Sequence, residues 1–242
     1  MNYMLIKIPS QYIFPENFVI PVHKMTLAIF DLDNTLLSCD SDYEWGCFLV
    51  RKNLVDKASY DAANLNFYEQ YKKGTLDIYE FCAFSFKPLS EHSMEELRIL
   101  HDEFMQTVIR PMMRNKARAL ISHHKQQGHT LLVITATNSF ITRPIVQDFG
   151  IDHLLATDPK IADGRYTMEI EGIPCFQGGK VERLEEWLKQ NNASLEGSYF
   201  YSDSFNDLPL MEQVEHVIAV DPDEKLAAIA GQRGWKVISL LD

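Results

Sequence analysis

The sequence predicts an α/β fold, a Rossmann-like parallel sheet with an all-helical segment inserted after its first strand. Three observations predict it. Short apolar runs with few internal charges recur along the chain and read as strands buried on both faces. Helical patterns that end in Asn or Gly lie between the later runs. One long stretch, residues 39–112, shows only the helical period and no convincing strand.

In chain order, residues 1–24 read as an extension ahead of the core. They lack the charged segment followed by an apolar block that marks a secretory leader, and no apolar run approaches the roughly 20 residues needed to cross a bilayer. The expectation is a cytoplasmic protein with no membrane partner. TLAIFD (26–31) is the first strand. In the insert, Leu97, Leu100, Phe104 and Val108 are spaced to form one helix face. Its aromatics Phe67, Tyr68, Tyr71, Tyr79, Phe81, Phe84 and Phe86 are expected to pack a small core, with one or two lining a pocket. TLLVIT (130–135) is the second strand. KIADGRYTMEIEGIPCF alternates and carries turn signals at Asp163-Gly164 and Glu171-Gly172, which predicts a β-hairpin. GGKVERLEEWLKQNN reads as a helix, SYFYSD (198–203) and HVIAV (216–220) as strands, PDEKLAAIAGQRG as a helix and WKVISL (235–240) as the last strand. The implied organisation is a core of residues 25–38 and 113–242 around a helical domain, 39–112. His123 and His124 are adjacent in a helical pattern, point in different directions and read as solvated.

Hydrophobic residues at 46% and charged residues at 24% are ordinary for a globular chain. The formal charge of -11 opposes a phosphate backbone, and no basic patch interrupts it, so a nucleic-acid partner is excluded. Four cysteines without a CxxC pair fit reduced thiols. No signal here sets an oligomeric state.

In open α/β sheets, ligands sit beyond the carboxyl ends of the strands. Asp31, Thr135 and Asp203 each end a predicted strand, Asp33 and Asp207 follow in the next loops, and Lys180 opens a helix behind Gly178 and Gly179. The four aspartates and one lysine leave a net charge of minus three at one sheet edge. Crowded carboxylates at low dielectric raise one another's pKa and repel a phosphate. A divalent cation relieves both effects, and oxygen ligands favour magnesium. The pattern therefore points to a magnesium site for a small phosphorylated metabolite. GGKVE is not a nucleotide-binding loop, because Pro174 stands where that motif needs glycine and Val181 where it needs Ser or Thr.

DLDNT at 31–35, Thr135, Lys180 after GG, and DSFND at 203–207 resemble, in order, the four motifs of haloacid-dehalogenase-superfamily hydrolases. The helical insert resembles the C1-type cap of the phosphoserine-phosphatase-like branch. The resemblance implies a phosphatase with Asp31 as nucleophile, Asp33 as acid and base, and Thr135 on a phosphoryl oxygen. Lys180 and the amides of Gly178 and Gly179 would neutralise the phosphate. Magnesium would be held by Asp31, Asp203 and the main-chain carbonyl of Asp33, with Asp207 on its water shell or on Lys180. Asp40 stands where phosphoserine phosphatases carry a Glu for the substrate amine, and Thr137 and Asn138 fall near the phosphate or leaving group. Ala83 stands where they carry the arginine that grips the serine carboxylate. An acidic group without that arginine suits an amino-alcohol phosphate such as histidinol phosphate; Arg51 or Arg143 reaching the pocket would restore phosphoserine. A catalytically silent scaffold would have lost one of Asp31, Asp33, Lys180 or Asp203, and all four are present.

Overall fold

In chain order, the elements of the computed structural model, which describes residues 26–241, begin with strand β1 (Leu27–Phe30). The extension read at residues 1–24 lies outside the described residues. Five helices follow: α1 (Ser41–Arg51), α2 (Lys57–Lys73), α3 (Ile78–Glu91), α4 (Met94–Phe104) and, after a π-helical turn at Met105–Ile109, α5 (Arg110–Met112). Then come α6 (Asn115–Gln126), β2 (Thr130–Asn138), α7 (Ser139–Asp148), β3 (His153–Ala162), β4 (Arg165–Glu171) and α8 (Gly178–Asn191). The chain closes with β5 (Tyr199–Ser202), α9 (Leu208–Met211), β6 (His216–Val220), α10 (Glu224–Arg233) and β7 (Lys236–Ile238).

The seven strands form one sheet in the order β4-β3-β2-β1-β5-β6-β7. Every pairing is parallel except β3 with β4, the predicted hairpin turning at Asp163-Gly164. The first half of β3 was not foreseen. HLLAT offers only a short apolar run before Pro159, yet it pairs with β2 from His153 onward. The parallel order around β1 is a doubly wound arrangement, and it brings the ends of β1, β2 and β5 side by side at the place where ligands bind.

Two apolar layers cover the sheet. One face packs Leu27, Ile29, Leu132, Phe200 and Ala219 against Leu184, Leu210 and Leu226 of α8, α9 and α10. The other packs Phe30, Val133 and Tyr201 in one continuous cluster with Trp45, Phe48, Phe86, Leu97 and Phe104 of the inserted helices. The insert thus joins the core of the sheet through these residues, while Tyr60, Phe67, Phe81 and Phe84 pack one another within the insert, as expected. Of its aromatics, Phe86 is buried, Tyr79 is exposed, and Phe67, Tyr68, Tyr71 and Phe81 face a cavity. The insert's two connections are tied together, with Ser38 N donating to the Met112 carbonyl at 2.9 Å and a bridge between Leu37 and Met113.

Gly46 in α1 allows α2 to come close, because a Cβ there would meet the Tyr60 ring at 2.1 Å. His124 corrects the expectation of a solvated residue. It is 2% exposed, with Nε2 2.8 Å from the Tyr201 hydroxyl and Nδ1 2.7 Å from His129 Nδ1. The cause is helical spacing: Ala117, Ile121 and His124 lie on the α6 face that covers β1 and β5, while His123 points outward. Among the described residues, no helix is long and apolar enough to cross a membrane.

Candidate active site

β1 is buried throughout, and the chain leaves it in a tight turn: Leu36 N and Leu37 N both bond the Leu32 carbonyl, and Asn34 takes a left-handed φ of 55°. This turn holds Asp31 and Asp33 rigidly beyond the strand end. Asp31 N is itself fixed to the Tyr201 carbonyl of β5 at 2.9 Å.

Lys180, 3% exposed, reaches Asp31 Oδ1 at 2.8 Å and Asp207 Oδ1 at 2.6 Å. Burial alone would lower the lysine pKa, but Asp207 and Asp31 outweigh it and hold the pKa above its usual range. Asp207 is oriented in turn by the Ser202 hydroxyl, which donates to it at 2.7 Å. Asp203 exchanges two bonds with Thr35: the threonine hydroxyl donates to Asp203 Oδ1 at 3.0 Å and accepts from Asp203 N at 3.1 Å. The pKa values of Asp31 and Asp203 are pushed up, chiefly by burial and further by neighbouring carboxylates, against the pull of Lys180 and Thr35 respectively.

The carboxylate of Asp33 is turned the other way. It accepts from Ser41 N at 2.7 Å, from the Thr137 hydroxyl at 2.8 Å and from the Thr135 hydroxyl at 3.3 Å. The register of β2 against β3 shifts between Ile134 and Asn138, and this irregularity aims both threonines at one carboxylate.

Asp31, Asp33, Thr135, Thr137, Lys180, Asp203, Asp207 and Asp40 all line one cavity of about 780 Å³ between the sheet edge and the insert. Two expected site residues do not join them. Asn138 caps α7 through its Oδ1, which accepts from Ile141 N, and gives its amide to Asp42 at 3.2 Å. The Gly179 amide is used in the turn before α8, where it donates to the Phe176 carbonyl at 2.9 Å, so it is not free for phosphate. Glycine is needed there for another reason: a Cβ at 179 would sit 2.0 Å from the Pro174 carbonyl oxygen. Asp40 reaches the cavity, but its Oδ1 caps α1 by accepting from Asp42 N and Tyr43 N. Arg51 lines the cavity, whereas Arg143 does not.

The sequence reading left Thr35, Ser202, Asp42 and Arg114 without roles. Arg114, 6% exposed, donates through Nη1 to the Thr35 carbonyl and to Asp221, pinning the loop that carries Asp31 and Asp33. Thr35 stands inside DLDNT and could have been found there; Arg114 has no local signal, because its partners lie 79 and 107 residues away.

The donor set fits magnesium. Asp31 and Asp203 offer hard oxygens at one end of the cavity, and among the described residues Lys180, bonded to Asp31 and Asp207, is the cation set against these several carboxylates. Among the described residues, no group of three His, Cys, Asp or Glu side chains is placed to hold a metal ion by itself, so main chain, water and substrate would have to complete the shell. That is consistent with magnesium, which uses one or two carboxylates and completes its shell with water, main chain and substrate.

A family model for haloacid dehalogenase-like hydrolases matches residues 28–212, most of the chain. The chain is a haloacid dehalogenase-like hydrolase. The hydrolase is 43% identical over 217 residues to a histidinol-phosphatase of Neisseria meningitidis, covering 88% of this chain and 98% of that one. A crystal structure of a Bordetella pertussis protein of unknown function is 45% identical and superposes with a TM-score of 0.85 over 90% of this chain and all of its own. A substrate-bound phosphoserine phosphatase superposes with a TM-score of 0.64 at 20% identity, over 85% of this chain and 90% of that one, which shows the shared fold.

Proposed function

We propose that this hydrolase is a magnesium-dependent phosphomonoesterase that cleaves an amino-alcohol phosphate of the histidinol phosphate class through a phosphorylated Asp31, with residues 39–112 acting as the cap over a core of residues 25–38 and 113–242. The observation that carries the reading is one cavity with two chemically different ends. Lys180, Asp31 and Asp203 form a phosphate end, and Asp42, Tyr43, Phe67 and Tyr68 line the same cavity as an acidic, aromatic wall. Such a wall suits a cationic leaving group bearing a ring. The likeness to the Neisseria meningitidis histidinol-phosphatase supports the same substrate.

In the first step, Asp31 attacks phosphorus through the oxygen not bonded to Lys180, and the bond from phosphorus to the alcohol oxygen breaks. Asp33 delivers a proton to the departing alkoxide. Three donors hold its carboxylate on that side, away from Lys180. In the second step, Asp33 takes a proton from water as the water attacks phosphorus, releasing inorganic phosphate and restoring Asp31. Lys180 neutralises Asp31 and the incoming phosphate, while Asp207 and Ser202 fix its ammonium in place. Asp31, Asp203 and the main-chain carbonyl of Asp33 would hold magnesium, which supplies charge stabilisation to the phosphoryl oxygens.

A second reading, phosphoserine as substrate, is favoured by one observation: Arg51 lines the cavity and could take a carboxylate. The test is phosphate release from histidinol phosphate and from phosphoserine, each with magnesium and with a chelator. The proposal expects magnesium-dependent turnover favouring histidinol phosphate by more than tenfold, about 1.4 kcal/mol in transition-state binding. A tenfold preference for phosphoserine would hand the site to the second reading, and turnover undiminished by chelator would remove magnesium.

A further inference from the structure

We infer that Asp42, not Asp40, is the carboxylate that receives the substrate's ammonium group, an assignment that rests on the amino-alcohol phosphate reading above. The two aspartates lie two residues apart at the start of α1, and both line the cavity, but their surroundings differ. Asp40 is exposed and already serves as a helix cap. Asp42 is 5% exposed, and its Oδ1 accepts from the Ser85 hydroxyl of α3 at 2.8 Å and from the Asn138 amide at 3.2 Å.

Three features single Asp42 out. First, both donors are neutral and both bond the same oxygen, so among the described residues no cation pairs with this buried carboxylate. A buried charge without a counter-ion is costly, and the arrival of a cation is correspondingly favourable. The attraction is strong because water is largely excluded around this carboxylate. Second, the carboxylate is fixed from three directions, by α1, by α3 and by the residue capping α7, so little ordering is required when a ligand binds. Third, Asn138 adjoins Thr137, whose hydroxyl holds Asp33. Asp42 therefore lies on the leaving-group side of the cavity, where an amino-alcohol would place its amine. Lys57, which lines the same cavity, pairs with Asp61.

The experiment compares kcat/KM for histidinol phosphate and for its des-amino analogue, in the wild-type enzyme and in the Asp42→Asn, Asp40→Asn and Ser85→Ala variants. Thermal melting of each variant accompanies the kinetics. The wild type is expected to prefer the amine-bearing substrate, and Asp42→Asn to reduce that preference at least tenfold, mainly through KM. Asp40→Asn should keep the preference within about threefold, and Ser85→Ala, which loosens the carboxylate, should reduce it part-way. If Asp42→Asn fails to fold, Ser85→Ala carries the test. A preference unchanged in Asp42→Asn, or in Ser85→Ala when it alone folds, overturns the assignment, as does a preference lost in Asp40→Asn instead. Equal losses for both substrates would show a structural role and overturn it too. Failure of the underlying reading looks different: the wild type would hydrolyse an aryl phosphate but not histidinol phosphate.

Discussion

Replacing Gly179 by alanine tests whether the turn before α8 sets the position of Lys180. The new Cβ would lie 2.0 Å from the Pro174 carbonyl oxygen, whereas carbon and oxygen atoms normally approach to about 3.5 Å. The obstructing atom is backbone, so the first turn of α8 must move by on the order of 1 Å, and Lys180 is the next residue. Its Nζ makes contacts of 2.6–2.8 Å with Asp31 and Asp207, which a shift of that size breaks or lengthens beyond hydrogen-bond range. A misplacement of 1 Å costs roughly 10²-fold in rate, so kcat should fall by about that factor. Overpacking should lower stability by about 1–3 kcal/mol. The control is Gly178→Ala, where nothing lies within 4 Å of the new methyl and turnover should stay near that of the wild type. Steady-state phosphate release and thermal melting on the two variants decide the matter. Equal kcat in Gly179→Ala and wild type would refute the argument that this close approach positions the lysine.

Two other perturbations have defined outcomes. Burial and the neighbouring His129 and His123 lower the pKa of His124 from 6.5 to about 4. The unfolded chain therefore binds the extra proton first. The stability tied to this residue is complete above pH 6.5 and is lost as pH falls toward 4, at most about 3 kcal/mol. Denaturant titrations across that range should show the loss, and it should shrink in His124→Gln; an identical pH dependence in both proteins contradicts the assignment. Gly46→Ala places a methyl within 2.5 Å of three Tyr60 side-chain atoms, and because that ring is buried against Phe84 it must press α2 away from α1 as it moves. Stability should drop by about 1–3 kcal/mol, and KM should rise because α2 carries Phe67, Tyr68 and Tyr71 in the cavity wall; KM and melting temperature matching the wild type would show that α2 is not held by this contact.

The strands β1, β2, β5 and β6 were legible because each is a short apolar run bounded by polar residues, and burial on both faces demands that pattern. The start of β3 was not, since His153 and the nearby Pro159 interrupt the signal and its membership depends on pairing with β2. In the candidate site, the convergence of Asp31, Asp33, Asp203, Asp207 and Lys180 on one cavity was legible from their positions at or just beyond element ends. Asn138 and Gly179 were misplaced for a local reason: a helix cap and a tight turn had first claim on the groups expected to face the substrate. Asp42 escaped because its partners, Ser85 and Asn138, lie 43 and 96 residues away. His124 could have been found, as its spacing from Ala117 and Ile121 already placed it on the covered face of α6.

In the proposed mechanism Asp31 is the nucleophile that accepts the phosphoryl group. Acid-quenched turnover of histidinol phosphate in the presence of magnesium, followed by peptide mass spectrometry, tests it most directly. The account predicts a hydroxylamine-labile phosphate on Asp31 that is absent from the folded but inactive Asp31→Asn variant. Phosphate on another residue, or turnover by Asp31→Asn at the wild-type rate, would contradict it.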